Sequence, residues 1–265
     1  STRGQARQLL GVYLGLTVIM ALATVAVLPG WREGLVLTLT AISTAGFAPR
    51  ADSLMSYSAA GQAIVMFSCV LGAMSLLTFA LVLQGKPREA WQLGSARRVL
   101  FALGLLAALQ TGLMLASGAS GERIWIGLIN LVSGLTTTGF SAGDVPTASA
   151  AGVLLIAAMV AGGDVGSTAG GIKLARMGLL RRLVTHVIRS ARLPDNAVAP
   201  LRVEGRPVQP ATTNALLALL ALYISAVALI WAQALPHGYA PYPALFDVVS
   251  TVSTVGLTTG VVGPD

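Results

Sequence analysis

The sequence predicts an all-α polytopic membrane protein built from repeated units, each a helix, a short re-entrant helix and a second helix. Of its 265 residues, 55% are hydrophobic and only 10% are charged, whereas soluble domains carry about 25% charged residues. Four apolar runs are close to the ~20 residues that cross a bilayer as a helix; they lie at 9–28, 62–83, 99–117 and 214–235. A short segment rich in Ser, Thr and Gly occurs three times, which indicates a repeated unit.

The repeated segment is centred on a glycine. The chain contains Ser-Thr-Ala-Gly-Phe-Ala at 43–48, Thr-Thr-Thr-Gly-Phe-Ser at 136–141 and Ser-Thr-Val-Gly-Leu-Thr at 253–258. We call these the first, second and third glycine loops. When they are aligned on Gly46, Gly139 and Gly256, a hydroxyl residue stands two, three and six positions before the glycine in every copy. This agreement by residue type indicates a repeated unit.

The first predicted unit comprises residues 1–84. The apolar run 9–28 ends at a Pro-Gly pair, and the following segment 31–44 is too short to cross a bilayer. A polar loop then leads into the run 62–83, which we expect to be one continuous span. A span, a short dip and a second span predict a re-entrant helix between two full helices.

The second predicted unit comprises residues 85–192 and follows the same plan. Its outward span, dip, climb and inward span are predicted at 99–117, at 124–138, at 139–144 and from Ala150 onwards. The inward span is expected to break at 162–171, where Gly and Ala predominate, because glycine disfavours a helix interior. A basic helix is expected beyond the break, to about Arg192.

A Pro-rich cytoplasmic linker, 193–211, precedes a third unit at 212–265. This unit has an outward span at 214–235, a dip at 244–254 and a climb at 255–260, and it lacks the inward span of the other two. We therefore expect the chain to be an internal part of a longer protein. The absence of an initial Met agrees with that expectation.

Positive charge is concentrated on alternate connections. Most of the 17 Lys and Arg residues lie at 1–8, 85–98 and 173–211. Cytoplasmic loops of membrane proteins carry this excess, so these three segments are predicted to be cytoplasmic. The net charge of +7 is therefore a sign of topology. A nucleic-acid partner is not expected, because it would need a soluble basic face.

The predicted dips have a chemistry suited to a monovalent cation. Non-helical backbone at membrane depth is tolerated when it is buried in protein or lines a water-filled path. A short helix that ends there turns its partly negative C-terminus towards the site, and backbone carbonyls can replace an ion's hydration shell. Few acids are present at this depth, which disfavours a divalent site. Gly, Ser and Thr are also typical of close helix packing, but three copies at matching places favour the ion site.

The three glycine loops resemble the filter loops of the Trk/Ktr/HKT superfamily of potassium transporters, in its second, third and fourth units. The run 163–173, Gly-Asp-Val-Gly-Ser-Thr-Ala-Gly-Gly-Ile-Lys, is similar to that family's intramembrane gating loop. The resemblance covers the whole chain. It implies helix–pore-helix–helix units around a pseudo-fourfold pore, with the first unit and the last inner helix missing from this sequence.

The resemblance also implies which residues form the sites. The ion-binding filter would comprise Thr44, Ala45, Gly46, Phe47, Thr137, Thr138, Gly139, Phe140, Thr254, Val255, Gly256 and Leu257. The gating loop would comprise Gly162, Gly163, Asp164, Gly166, Ser167, Thr168, Gly170, Gly171 and Lys173. We expect that loop to be the barrier to permeation within the membrane.

The implied function is gated potassium uptake across the cell membrane, with K⁺ bound by filter carbonyls as the transported ion and with no cofactor. The implied partners are the lipid bilayer, a second copy of the chain in a homodimer, and a cytoplasmic nucleotide-binding regulatory subunit. That subunit could dock on the basic segment 176–206, although lipid headgroups explain the same charges. A sodium-permeable member of the family and a non-conducting fragment or assembly subunit are the alternatives. No nucleophile–base pair or metal cluster suggests an enzyme.

Single residues leave further alternatives open. An ionisable residue at membrane depth, such as Asp164, marks a functional site, but it could instead cap a broken helix or pair with Lys173. A phosphate-binding loop needs Gly-Lys followed by Ser or Thr, which this run lacks. Asp247 is expected to begin the third short helix, where an acid complements the helix dipole. His186 and His237 are expected on opposite membrane faces, and Cys69 is expected to be a small buried apolar residue.

Overall fold

The computed structural model describes residues 2–145, 149–190, 202–203 and 206–260, and these residues are predominantly helical. In chain order the helices are α1 Thr2–Val27, α2 Trp31–Ile42, α3 Ala59–Ala73, α4 Leu76–Leu83, α5 Pro87–Leu93, α6 Ser95–Ala116, α7 Gly121–Thr136, α8 Ala150–Ala161, α9 Leu174–Ser190, α10 Pro210–Ala234 and α11 Pro241–Val252. A 3₁₀ turn, Leu235–His237, follows α10. The strands β1 Arg202–Val203 and β2 Arg206–Pro207 pair antiparallel.

Long apolar helices confirm a multi-pass membrane protein. Within the described ranges, α1, α6 and α10 are each long and apolar enough to cross a bilayer, and α3 with α4 would make a fourth span if the pair counts as one. Many apolar side chains of α1, α6 and α10 are exposed, for example Leu22 at 70%, Phe101 at 69% and Leu222 at 72%. Such surfaces suit contact with lipid tails. The prediction of an all-α polytopic membrane fold is therefore confirmed.

Three short helices follow the long ones, as the sequence predicts. Helices α2, α7 and α11 have 12, 16 and 12 residues, and each packs beside the long helix that precedes it, α1, α6 or α10. Each ends two residues earlier than predicted, at Ile42, Thr136 and Val252. The reason is that a left-handed threonine terminates each helix, as described below.

The predicted continuous span 62–83 is wrong. Helices α3 and α4 meet at an angle of 90° across Met74 and Ser75. The bend frees backbone groups that the second unit satisfies. Ser75 N donates to Ser95 Oγ over 2.9 Å, and Leu76 N donates to Gly166 O over 3.0 Å. The bend depends on partners that lie far away in the sequence, and it occurs at neither a glycine nor a proline.

The break predicted at 162–171 is confirmed, since it separates α8 from α9. We call residues 162–173 the interhelical loop. Its end folds back on α8, because Ile172 N and Lys173 N donate to Val160 O and Ala161 O, both over 3.0 Å. The basic helix predicted to reach Arg192 is described as far as Ser190. Most of the predicted linker 193–211 lies outside the described residues.

Two apolar clusters surround the C-terminal ends of the short helices. One joins Leu37, Val65 and Phe140, so that it links the first short helix, α3 and the second glycine loop. The other joins Leu135, Leu155 and Phe246, from α7, α8 and α11. The clusters therefore hold the short helices and their glycine loops in fixed relative positions.

Candidate functional site

The three short helices end in the same backbone conformation. Thr44, Thr137 and Thr254 have positive φ values of 53°, 55° and 58°. Their N–H groups donate to the carbonyl three residues earlier, over 3.1, 3.2 and 3.0 Å. The next N–H in each loop donates five residues back, over 2.8, 3.0 and 2.8 Å, to Thr40, Ser133 and Ser250. These paired bonds define a Schellman cap.

A threonine in this conformation is strained. Left-handed backbone costs a residue with a Cβ about 1–2 kcal/mol, and it is rarer still for a β-branched side chain. Three such residues at matching positions are a repeated feature of the fold. Strain of this kind is concentrated at functional sites. The three short helices therefore end in one shared backbone conformation.

The glycines allow neighbouring loops to touch through their backbones. A Cβ on Gly46 would lie 1.8 Å from Thr138 O, and one on Gly139 would lie 2.1 Å from Val255 O. Only glycine therefore fits at these two places, where φ is also positive, at 73° and 90°. A Cβ on Gly256 would meet only Gly139 Cα, at 3.9 Å, among the described atoms. The loops thus follow one another in the order first, second, third.

The structure brings all twelve predicted filter residues into this row of loops. The second loop lies in the middle and is the most buried, with Thr137, Thr138 and Phe140 each 0% exposed. The outer two loops expose residues on their free sides. Those residues are Ala45, Phe47, Thr254 and Gly256.

Hydroxyl groups six positions before the glycines support two of the loops. Thr40 Oγ1 donates to Phe47 O over 2.9 Å, and Ser250 Oγ accepts from Gly256 N over 3.1 Å. The equivalent Ser133 Oγ is buried without a hydrogen-bond partner among the described residues. In the first and third loops, the repeated hydroxyl therefore links the short helix to the backbone at or just after its glycine.

The interhelical loop contacts the end of every short helix. Thr168 Oγ1 donates to Ile42 O over 2.9 Å. Gly170 N donates to Thr137 Oγ1 over 2.5 Å, and Gly171 N donates to Ser253 O over 3.2 Å. The loop therefore runs along the C-terminal ends of α2, α7 and α11, next to all three glycine loops.

Asp164 anchors this loop to α6 through Arg98, and the alternative of an ion pair with Lys173 is not formed. Arg98 Nε and Nη2 donate to Asp164 Oδ1 and Oδ2 over 3.1 and 2.7 Å, and the Asp164 side chain is only 1% exposed. Asp164 Oδ1 also accepts from Ala175 N over 3.1 Å, at the start of α9. Lys173 Nζ instead donates to Ala169 O. The two-pronged Arg98 pair compensates the buried charge, while the bond to α9 caps the broken helix.

The pairing of Arg98 with Asp164 was not predicted, because the sequence indicated only that Arg98 belongs to a cytoplasmic basic segment. The position predicted for Asp247 is also wrong, since this residue is the seventh of the twelve residues of α11 and does not begin the helix. Asp247 is 2% exposed and accepts hydrogen bonds from the loop that follows. Its partners Thr258 and Thr259 follow Gly256 by two and three residues. Only an alignment of the three repeats on their glycines could have suggested this relation.

A cluster of polar side chains holds the outer side of the first loop. Arg50 Nη2 and Tyr57 OH donate to Glu33 Oε2 over 2.8 and 2.9 Å, and the Arg50 guanidinium lies 4.2 Å from the centre of the Tyr57 ring. Hydrogen bonds from Arg50 and Tyr57 lower the pKa of Glu33. Burial raises the pKa of Tyr57 to about 12, and the hydrogen bond to Glu33 contributes to the increase. At neutral pH, Glu33 is therefore ionised and Tyr57 keeps its proton.

A cavity of 580 Å³ opens beside the second and third loops. Gly139, Ser141, Asp144, Gly256 and Thr258 are among the residues that line it. In the described part of the chain, no group of three or more His, Cys, Asp or Glu residues is placed to hold a metal ion. The oxygen atoms that the glycine loops can offer to a cation are backbone carbonyls and hydroxyls.

Comparison with known proteins identifies relatives over nearly the whole chain. The model of the TrkH family, described as a cation transport protein, matches residues 88–264. An uncharacterized cation transporter of Methanocaldococcus jannaschii is 25% identical over 99% of this chain and 54% of its own length. The Trk system potassium uptake protein TrkH of Halomonas elongata is 29% identical over 98% of this chain and 53% of its own length.

A solved structure has the same fold. The crystal structure of the potassium transporter TrkH from Vibrio parahaemolyticus superposes with a TM-score of 0.85 at 23% identity, over 98% of this chain and 57% of that one. At this identity the likeness shows the fold alone. The chain spans about half the length of the relatives that it matches.

Replacing Gly139 with alanine should destabilise the protein. The added methyl group would lie 2.1 Å from Val255 O at a residue with φ of 90°, so we expect a loss of about 2–4 kcal/mol from strain and overpacking. The apparent melting temperature in detergent would report it. Gly112→Ala is the matched control, because a Cβ there meets nothing within 4 Å. Equal melting temperatures for the two variants would contradict the close contact between loops.

Proposed function

The chain belongs to the TrkH family of cation transport proteins, a family of transporters and not of enzymes, and on this premise we propose that it forms part of a gated pore for potassium uptake. One observation carries the proposal. Three short helices with the same left-handed threonine cap bring three glycine loops into direct backbone contact. This arrangement brings the C-termini of three short helices and the backbone carbonyls of their glycine loops to one place.

The chemistry of that place suits a dehydrated monovalent cation. The C-terminal ends of α2, α7 and α11 carry partial negative charge, which stabilises a cation nearby. Carbonyl oxygens of the glycine loops would replace water around the ion. None of the twelve filter residues is acidic, whereas divalent cations favour carboxylate ligands. Glycine at all three turns is our reason for proposing potassium over sodium.

Potassium uptake by cells that lack their own uptake systems tests this proposal. We expect expression of the complete gene product to restore growth at low potassium, because the pore supplies the ion that the cells cannot import. Uptake of ⁸⁶Rb⁺, with sodium as competitor, measures the preference directly. Equal transport of sodium would support the sodium-permeable alternative, and a correctly inserted protein without flux would support the non-conducting one.

We also propose that the interhelical loop is the gate. It contacts the ends of all three short helices, and so it lies across the inner side of the row of glycine loops. Its residues are mostly small, so few side chains resist its movement. Thr168 makes the side-chain link between this loop and the first short helix, since its hydroxyl lies 2.9 Å from Ile42 O and 3.0 Å from Gly72 O.

Replacing Thr168 with valine should therefore favour the open loop. Valine has the same shape but cannot donate to either carbonyl, and a lost hydrogen bond of about 1 kcal/mol corresponds to a severalfold rise in potassium flux. The preference for potassium over sodium should stay unchanged, because the glycine loops are untouched. Thr185→Val is the control, since Thr185 is exposed and bonds only within α9. Flux at the parent level in a folded variant would contradict the gate.

The regulatory subunit implied by the resemblance is proposed to dock on α9. No residue of this helix is buried, and its exposed surface carries the arginines Arg176, Arg181, Arg182 and Arg189. Contact with anionic lipid headgroups is the alternative explanation of the same charges. The homodimer remains a prediction.

Reversing the charge of Arg181 and Arg182 to Glu should weaken docking by at least about tenfold, because two favourable charge contacts become repulsive. Co-purification with the organism's own nucleotide-binding regulator, quantified by titration, measures this loss. Arg3→Glu with Arg7→Glu is the matched control, since it reverses as many charges on another predicted cytoplasmic segment. A regulator that still binds the α9 variant would exclude this docking surface.

A further inference from the structure

In two of the three units, one position on the short helix holds the outer limb of the glycine loop, meaning the residues just after the glycine. That position lies nine residues before the glycine and is Leu37, Asn130 or Asp247 in the three units. Its counterpart lies three residues after the glycine and is Pro49, Ala142 or Thr259. The contacts at these paired positions differ between units in a regular way.

In the second unit an amide braces the limb. Asn130 is 0% exposed. Its Oδ1 accepts from Ala142 N over 3.3 Å, and its Nδ2 donates to Asp144 O over 3.4 Å. The side chain thus connects the middle of α7 to both a donor and an acceptor of the limb.

In the third unit a carboxylate takes the same place. Asp247 Oδ1 accepts from Thr259 N over 2.7 Å and from Thr259 Oγ1 over 2.9 Å. Its Oδ2 accepts from Thr258 Oγ1 over 2.7 Å. The bond from Thr259 N is the equivalent of the bond from Ala142 N in the second unit. The bonds of Asp247, at 2.7 to 2.9 Å, are shorter than those of Asn130, at 3.3 and 3.4 Å, so the third limb is held more closely than the second.

The first unit lacks both partners. Leu37 is 0% exposed and apolar, and Pro49 has no N–H to donate. Arg50, the next residue, is bound by Glu33 instead. The short helix therefore offers an acceptor where the limb has an N–H, and offers none where proline removes it. A buried N–H without a partner is costly. This correspondence therefore indicates that the acceptor on the short helix serves to bind the N–H of the limb.

We propose that Asn130 and Asp247 are positioning residues that hold the carbonyls of the second and third glycine loops at the spacing that distinguishes potassium from sodium. The inference rests on the proposed pore. Each brace acts three residues beyond the glycine, and the third-unit limb lines the 580 Å³ cavity beside the loops. If a brace is lost, the limb can move, and the carbonyls next to it can then close on a smaller ion.

Three variants of the complete protein test the role of Asp247. Asp247→Asn keeps an acceptor for Thr259 N and should leave the K⁺/Na⁺ preference within about twofold of wild type. Asp247→Leu removes the acceptor and should lower that preference about tenfold. Asp247→Leu with Thr259→Pro copies the first unit and should recover much of the loss, because proline removes the stranded N–H. Asp52→Asn, at an exposed acid between α2 and α3, is the control for the change in charge.

Two outcomes would overturn the proposal: a wild-type ion preference in a folded Asp247→Leu protein, or a double variant no better than the single one. If Asp247→Leu alone fails to fold, recovery of folding in the double variant supports the pairing. Asn130→Leu, with and without Ala142→Pro, repeats the test in the second unit. A wild-type protein that conducts no potassium would contradict the proposed function but not the braces. Melting temperatures test the braces separately: wild type and Asp247→Asn should be the most stable, the double variant less stable, and Asp247→Leu the least stable.

Discussion

The structure depends on one constraint, which is that backbone N–H and C=O groups freed at membrane depth must find partners inside the protein. Three helices end there, and each ends in a Schellman cap that pairs two N–H groups with its own last turn. The cap needs a left-handed residue, and threonine fills it three times in spite of the strain. The repeated hydroxyls and glycines of the sequence follow from this requirement.

The same constraint explains why the two broken helices lie together. The bend between α3 and α4 frees Gly72 O and Ala73 O, which accept from Thr168 N and Asp164 N over 3.3 and 3.0 Å. The interhelical loop, in turn, would have unpaired groups without that bend. Each break therefore satisfies the other. Arg98 completes the arrangement by pairing with Asp164, which would otherwise be a buried lone charge.

Local features of the sequence predicted much of this fold, whereas contacts between residues distant in the chain were not predicted. Apolar runs and the repeated glycines identified the long and short helices, because length and periodicity are properties of a single segment. The bend at Ser75 was missed because its partners, Ser95 and Gly166, are distant in the chain. For Asp164 the sequence left open a functional site, a helix cap and a pair with Lys173; the structure shows the cap, and the ion-pair partner is Arg98, 66 residues away in the chain. The hydrogen bonds of Asp247 and Asn130 correspond only when the two units are aligned in three dimensions.

The threonine caps also connect the two proposed parts of the pore. Thr137 has a left-handed backbone that ends α7, while its Oγ1 accepts from Gly170 N in the interhelical loop. Gly170 could not carry a side chain, since a Cβ would lie 2.0 Å from Thr254 Oγ1 in the third loop. Movement of the interhelical loop must therefore break bonds to the residues that shape the glycine loops. In the proposed pore, Thr137 therefore links the gate to an ion-binding loop, so a change in one is expected to alter the energy of the other.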